Sequence, residues 1–419
     1  MSSHRTAFLA VALIASACLA QSPGVLTLET AFARTLEKHP ELARFNHLRE
    51  MSQASKDAEG QRPPLRLEFE LENAPRSGQE SAFDSAESTL SLASMLESGG
   101  KRAARLAVAD AQLDALALQE EARRSDLLAE VARRYLDFVA TQALADLAAT
   151  EVAQREKTVE AAAQRVRAGA TPESVRLAAE ASLVRATLQR ARLLAQSRAN
   201  AQQLAILWGA REPDFERGSG DPLRICAVPS LDSLRDLIAR SPELRRFADE
   251  SRLREARLQL ARSARSMDLE WRAGLRRLEE DGSWAAVVGV SMPLGGGSRA
   301  EPRIRAAQAE LAALGLEREA EALTMEATLV EAHARLGNAA AEVAAMRDLL
   351  LPKFEQAERS AERAFRAGAL TYSEWAQLQS EAMSARAEQL AAAVEAHRAL
   401  IEIQRLTGSA FTTSTGYQP

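Results

Sequence analysis

Leu65-Arg66-Leu67-Glu68-Phe69-Glu70-Leu71-Glu72 alternates apolar and charged side chains over its whole length. Successive side chains of an extended backbone point to opposite faces. The segment therefore predicts a strand over 65–72, with Leu65, Leu67, Phe69 and Leu71 on one surface and Arg66, Glu68, Glu70 and Glu72 on the other. Such a strand needs an apolar environment on one side and water on the other. A helical pattern from about Leu28 to Gln61, interrupted near Pro40, leads into it. A loop with Pro75 and Gly78 follows, then a weaker strand over about 88–95. Much later, Leu269, Trp271, Ala273 and Leu275 alternate with Glu270, Arg272, Gly274 and Arg276, predicting a strand over 269–276. Beyond the turn at Asp281-Gly282, Trp284, Ala286, Val288, Val290 and Met292 mark a fourth strand over 284–292.

Long helices surround these strands. From Lys101 to about Ala168 there is neither proline nor glycine, a run that extends about 100 Å as a single helix at its usual rise. Its later counterpart, Arg303 to Ala367, contains Gly315, Gly337 and Pro352, so a rearrangement is expected near Pro352. Leu106, Leu113, Leu116 and Leu127 recur at helical spacing, and the abundant alanines permit side-by-side packing in coiled-coil fashion. Turns at Gly169 and Gly368 reverse the chain, giving helical hairpins over 101–208 and 303–408.

The two halves share motifs at an offset of about 200 residues: His39-Pro40-Glu41-Leu42 with Ser241-Pro242-Glu243-Leu244, and Arg167-Ala168-Gly169-Ala170 with Arg366-Ala367-Gly368-Ala369. Ala111-Gln112-Leu113 with Ala309-Glu310-Leu311, and Leu207-Trp208-Gly209 with Leu406-Thr407-Gly408, keep the same order, which argues for duplication. The expected organisation is a first repeat over 21–211, a Pro- and Gly-rich linker over 212–230, a second repeat over 231–408 and a tail over 409–419.

Composition removes several functions. In 419 residues, 53 basic and 58 acidic side chains give a net charge of −5, without the basic stripe that neutralises nucleic-acid phosphates. Two cysteines and five histidines show no ligand spacing, so neither a metal site nor a cofactor is expected. No nucleophile–base pair or phosphate loop appears, and Gly295-Gly296-Gly297 reads as a turn, so an enzyme is not expected. At the amino terminus, His4 and Arg5 precede an apolar run from Ala7 to Ala20, too short to span a bilayer but suited to a signal peptide over 1–20. Cleavage after Ala20 removes Cys18. The partial lipobox Ile14-Ala15-Ser16-Ala17-Cys18 offers the other fate, acylation of Cys18. With Cys18 removed, Cys226 is left unpaired and expected as a small buried hydrophobe.

Four strands cannot close a barrel, because about eight is the small-barrel limit and an open edge cannot face lipid. Three copies would supply twelve strands and an aqueous lumen, with Arg66, Glu68, Glu70, Glu72, Glu270, Arg272 and Arg276 turned inward. The fold class expected is mainly α with a small membrane β part: duplicated helical hairpins and four strands per chain, assembled as a trimeric barrel and helical tunnel. A small sheet capping a periplasmic coiled-coil scaffold or adaptor, without channel activity, is the alternative.

Leu26-Thr27-Leu28-Glu29-Thr30-Ala31 through His39-Pro40-Glu41-Leu42 resembles the start of TolC-family outer membrane efflux proteins. Glu97-Ser98-Gly99-Gly100-Lys101-Arg102 resembles a signature of the family's heavy-metal branch, and Val288-Gly289-Val290-Ser291-Met292-Pro293-Leu294 is similar to its fourth-strand exit. The resemblance implies a homotrimeric conduit in outer membrane lipid with a periplasmic extension. It also implies a periplasmic adaptor (membrane fusion) protein and an inner-membrane pump of the resistance-nodulation-division type as partners. The adaptor-contact tips would be Gly169-Ala170-Thr171 and Gly368-Ala369-Leu370-Thr371. Glu374 would stand at the first position of the family's acidic gate, with Gln377 where a second acid is expected. Thr171 before Pro172, and Thr371 with Glu374, also read as helix starts, the second as a capping box.

Overall fold

The computed structural model describes residues 24–73 and 86–411. The signal peptide expected over 1–20, Cys18, the loop residues Pro75 and Gly78, and the end of the tail lie outside them. Helices α1 (Leu28–Lys38) and α2 (Pro40–Glu59) meet where Pro40 takes the first position of α2, the one helical place where a missing N–H costs little. Strands β2 (Arg66–Glu72) and β3 (Glu87–Leu96) follow a short strand β1 (Val25–Leu26). Then come α3 (Lys101–Arg167) and α4 (Glu173–Ile206), one hairpin whose outgoing arm is a single 67-residue helix.

After strand β4 (Arg217–Gly218) the order of elements recurs: α5 (Leu231–Ala239), α6 (Pro242–Ser263), β5 (Leu269–Leu278) and β6 (Trp284–Ser291). The second hairpin is built from α7 (Gly296–Ala345), a π-turn (Met346–Leu350), α8 (Leu351–Ala367) and α9 (Tyr372–Thr407). Pro352 accounts for the π-turn. Its nitrogen cannot donate to the carbonyl one turn back and its ring crowds that group, so the backbone widens just before it. Helix α7 begins at Gly296 rather than near Arg303, and carries Pro302 within its first two turns. Met292 lies past the end of β6.

Strands β2, β3, β5 and β6 form one antiparallel sheet in the order β2-β3-β5-β6, which leaves β2 and β6 as open edges. Strands β1 and β4 pair in parallel at mid-length of the hairpins, where Phe138, Trp208 and Phe215 make an aromatic core. There the Tyr135 hydroxyl sits 2.9 Å from the Leu26 carbonyl and 2.6 Å from that of Ser219. A second core joins Leu234, Ile238 and Phe247 of α5 and α6 to Leu329 and Leu336 of α7 and Ile403 of α9.

The 212–230 segment is tied down. His397 Nε2 lies 3.0 Å from the Pro222 carbonyl and His333 Nε2 2.9 Å from that of Pro229, so each ring takes up a carbonyl that proline-rich backbone cannot pair by itself. Burial holds the His397 imidazole below its ordinary pKa, against the carbonyl bond and nearby Asp221, which favours a neutral ring. Cys226 is half-buried and free, not the core residue expected of it.

Candidate functional site

Strand pairing sorts the sheet into two faces. One carries five rows, from the loop end inward: Leu71, Ser88, Arg277, Trp284; Phe69, Leu90, Leu275, Ala286; Leu67, Leu92, Ala273, Val288; Ser94, Trp271, Val290; and Leu96 with Leu269. In the isolated chain this face is bare, with Phe69 68% and Val288 78% exposed. The five rows span about 27 Å along the strands, the scale of a bilayer's apolar band. Trp271 and Trp284 stand towards its two ends, as aromatic side chains do at membrane interfaces.

The other face gathers Arg66, Glu68, Glu70, Glu72, Glu270, Arg272 and Arg276. Arg276 reaches Glu72 at 3.0 Å and Glu87 at 2.6 Å, and its Nε donates to Thr89 Oγ1 at 3.0 Å. Arg272 stands 3.6 Å from Glu70. The alternating charges of β2 and β5 are thus partners two strands apart, reaching over β3. Glu87, Thr89 and Ser91 of β3 belong to this face too. Their strand lacks a clean alternation, so pattern alone did not mark them.

Where the sheet meets the helices, the Glu97-Ser98-Gly99-Gly100-Lys101-Arg102 stretch forms a tight corner. Gly99 and Gly100 have φ of +67° and +71°, values that a Cβ disfavours. Lys101 Nζ lies 2.6 Å from Asp268, whose other oxygen accepts from Ser98 N at 3.0 Å, while Arg105 pairs with Glu97. Asp268 precedes β5, so the corner locks the first repeat to the second. Burial opposes ionisation of Asp268, but the Lys101 and Ser98 bonds and the Lys101 and Arg105 charges outweigh it and hold its pKa below the ordinary carboxylate value. A carboxylate lowered in the folded state stabilises above its unfolded pKa, and that contribution is lost as pH falls through the folded one. D268N is therefore expected to lower thermal stability at neutral pH and to flatten its fall on acidification, measured by melting at a series of pH values.

The far ends of the hairpins lie together. Gly169 and Gly368 terminate α3 and α8 in the left-handed region, and Ala170 N and Ala369 N each bond back to Arg165 and Ala364 carbonyls at 2.9 Å. Thr371 and Glu374 form a full capping box: Glu374 Oε2 accepts from Thr371 N at 2.9 Å and from Thr371 Oγ1 at 2.7 Å. Those two bonds, the hydroxyl's first, keep the exposed Glu374 carboxyl below its usual pKa. Thr171 is not the matching cap. Pro172 takes the N-cap position of α4, and Thr171 Oγ1 is buried with no partner among the described residues.

Gln377 is exposed on the same face of α9 as Glu374 and donates to Glu381 at 3.0 Å. Glu381, one turn beyond Gln377 on α9, is an exposed acid. Arg165 is a residue that motif reading missed. Its guanidinium donates to the Phe365 carbonyl and lies 5.0 Å from the centre of that ring, and Phe365 stacks on Trp375 at 4.8 Å.

Among known proteins, the model of the outer membrane efflux protein family matches residues 32–210 and 233–409. The chain belongs to that family. It is an outer membrane efflux channel with a helical extension into the periplasm, of the TolC-like kind, in a family of channels rather than enzymes. It is similar to the cobalt-zinc-cadmium resistance protein CzcC of Cupriavidus metallidurans, 25% identical over 77% of each chain. Its fold is similar to that of CusC (TM-score 0.76, 13% identity, 91% of this chain and 92% of that one). It also resembles the open state of the Neisseria gonorrhoeae MtrE outer membrane channel (TM-score 0.72, 17% identity, 91% and 88% covered).

Apolar helix surfaces, like one face of the sheet, are bare in the isolated chain. Helix α7 buries Met325, Leu329 and Leu336 within the chain, yet Leu316, Ala320, Leu323, Ala327, Val330 and Ala334 form a second apolar stripe that stays exposed. Helix α4 shows the same three- and four-residue steps in exposed Leu177, Ala181, Val184, Leu188, Ala191 and Ala195. Large and small residues alternate along the α7 stripe, and both stripes keep the three- and four-residue steps of a coiled-coil seam. No helix among the described residues is long and apolar enough to cross a membrane.

Proposed function

We propose that three copies close a twelve-stranded barrel, β2 of one against β6 of the next, with the apolar face towards lipid and the charged face lining the lumen. The observation that carries this is the sheet itself: two unpaired edges and a bare apolar face, which neither water nor lipid tolerates in a single copy. The direction fits. Strand β2 leaves the helical end and β6 returns to it, so the new pairs continue the antiparallel order. Each repeat, 21–211 and 231–408, supplies two strands and a hairpin to the wall, and the exposed stripes of α4 and α7 supply seams between neighbours. The expected mass in detergent is that of a trimer, and reconstituted trimers conduct ions. A stable monomer without conductance is the result that defeats this assembly.

The cargo proposed is divalent metal cations, supported by the likeness to CzcC, with energy and selection supplied by an inner-membrane pump of the resistance-nodulation-division type. A periplasmic adaptor would meet the tips at Gly169-Ala170-Thr171 and Gly368-Ala369-Leu370-Thr371, where exposed turns present backbone to a partner. Deleting the gene and scoring growth on cobalt, zinc and cadmium tests the cargo. Unchanged tolerance to all three argues against it.

Glu374, Gln377 and Glu381 line the narrow end in this reading. Three copies of Glu374, kept ionised by their capping bonds, draw cations towards the axis. E374Q is expected to lower the cation-to-anion permeability ratio severalfold, read from reversal potentials in a salt gradient. Retention of the wild-type ratio would leave Glu374 with its capping role alone.

A further inference from the structure

We propose that Arg277 and Trp284 form a binding site for the phosphate of an outer-leaflet glycolipid headgroup, one site per protomer. The proposal rests on the lipid-facing assignment of the sheet. Arg277 is the one charged side chain on the apolar face of that sheet among the described residues, and it stands in the row nearest the loops. The short β5–β6 connection marks that end as the outer one, because β3 and β6 both run from it to the helices. A guanidinium there lies where the acyl band gives way to headgroups, about 27 Å along the strands from Leu269.

Its geometry suits a bound phosphate. Trp284, 64% exposed, has its ring centre 5.7 Å from the Arg277 guanidinium carbon, which presents an aromatic wall beside the cation. Glu279 takes Nε at 2.7 Å and Nη2 at 3.4 Å, leaving Nη1 without a protein partner among the described residues. Glu279 thus orients the fork and also competes with an anion for it. A residue that only tethered the turn would need its carboxylate partner. A lipid site would gain from losing it.

The test uses trimers in nanodiscs of phosphatidylethanolamine with a minor fraction of diphosphorylated lipid A, the retained lipid being counted by native mass spectrometry. Wild type is expected to hold lipid A above its bulk fraction. R277Q binds about tenfold more weakly through loss of the charge-assisted and cation–π contacts. R277K falls between them, and E279Q retains more lipid A than wild type. Conducting R277Q trimers that hold lipid A as wild type does would overturn the proposal. So would equal retention of dephosphorylated lipid A, equal preference for the glycerophospholipid, or release by inorganic phosphate. Wild-type protein that makes no conducting trimer would overturn the sheet's lipid-facing assignment as well, and is distinguished by that failure.

Discussion

Leu92→Arg is expected to eliminate the trimer from the outer membrane. Leu92 occupies the middle of the five apolar rows, in register with Leu67 on one side and Ala273 on the other. A cation on the lipid face at the bilayer midplane costs roughly 2–4 kcal/mol, and three-fold assembly repeats that cost in every copy. The accumulated penalty rivals the whole net stability of an ordinary domain, about 5–15 kcal/mol. E68K, on the opposite face of the neighbouring strand, is the matched control, because it puts the same charge where water is available. Membrane fractionation with an assay of detergent-resistant trimer should show L92R absent and E68K present. If L92R assembles normally, the bare face of the sheet does not meet lipid.

How much of this was legible in the sequence depends on whether a residue's role follows from its neighbours in the chain. The alternation of Leu67, Phe69 and Leu71 with Glu68, Glu70 and Glu72 is local, since two solvents on two faces impose a period of 2 on one strand. The uninterrupted α3 and the disturbance before Pro352 are local as well, one following from missing breakers and the other from a missing N–H. Roles set by partners far along the chain were silent. His333 and His397 looked like stray histidines until the fold placed them on the Pro229 and Pro222 carbonyls. Arg165 is one arginine among many on α3, and nothing nearby announces Phe365, 200 positions on. Thr171 shows a local signal misleading: it precedes a proline at a helix start, but the cap position falls to Pro172 itself.

Trp375→Ala is expected to abolish adaptor-dependent efflux while leaving the barrel intact. Phe365 and Trp375 are 1% and 4% exposed and form, with Ala361, the small core at the end of the hairpins, to which Arg165 adds a bond from α3 to the Phe365 carbonyl of α8. Removing a buried tryptophan costs roughly 3–5 kcal/mol, more than a tip one or two turns deep can absorb without opening. The cores at Phe138 and Leu329 lie elsewhere on the hairpins and keep their packing. The loss should therefore be local. Faster hydrogen exchange and protease cleavage near 165–172 and 361–378, with unchanged trimer mass and no efflux, is the expected pattern. W375F, which keeps the stack on Phe365, should restore most of the activity. R165A, which frees the α8 carbonyl and uncovers the Phe365 ring, should loosen the same segments to a lesser degree. The neighbouring E374Q separates charge from packing, because its amide oxygen can still accept from Thr371, so these segments are expected to stay protected whatever happens to selectivity. Should W375A export normally with protected tips, the adaptor does not depend on a rigid pair of hairpin ends.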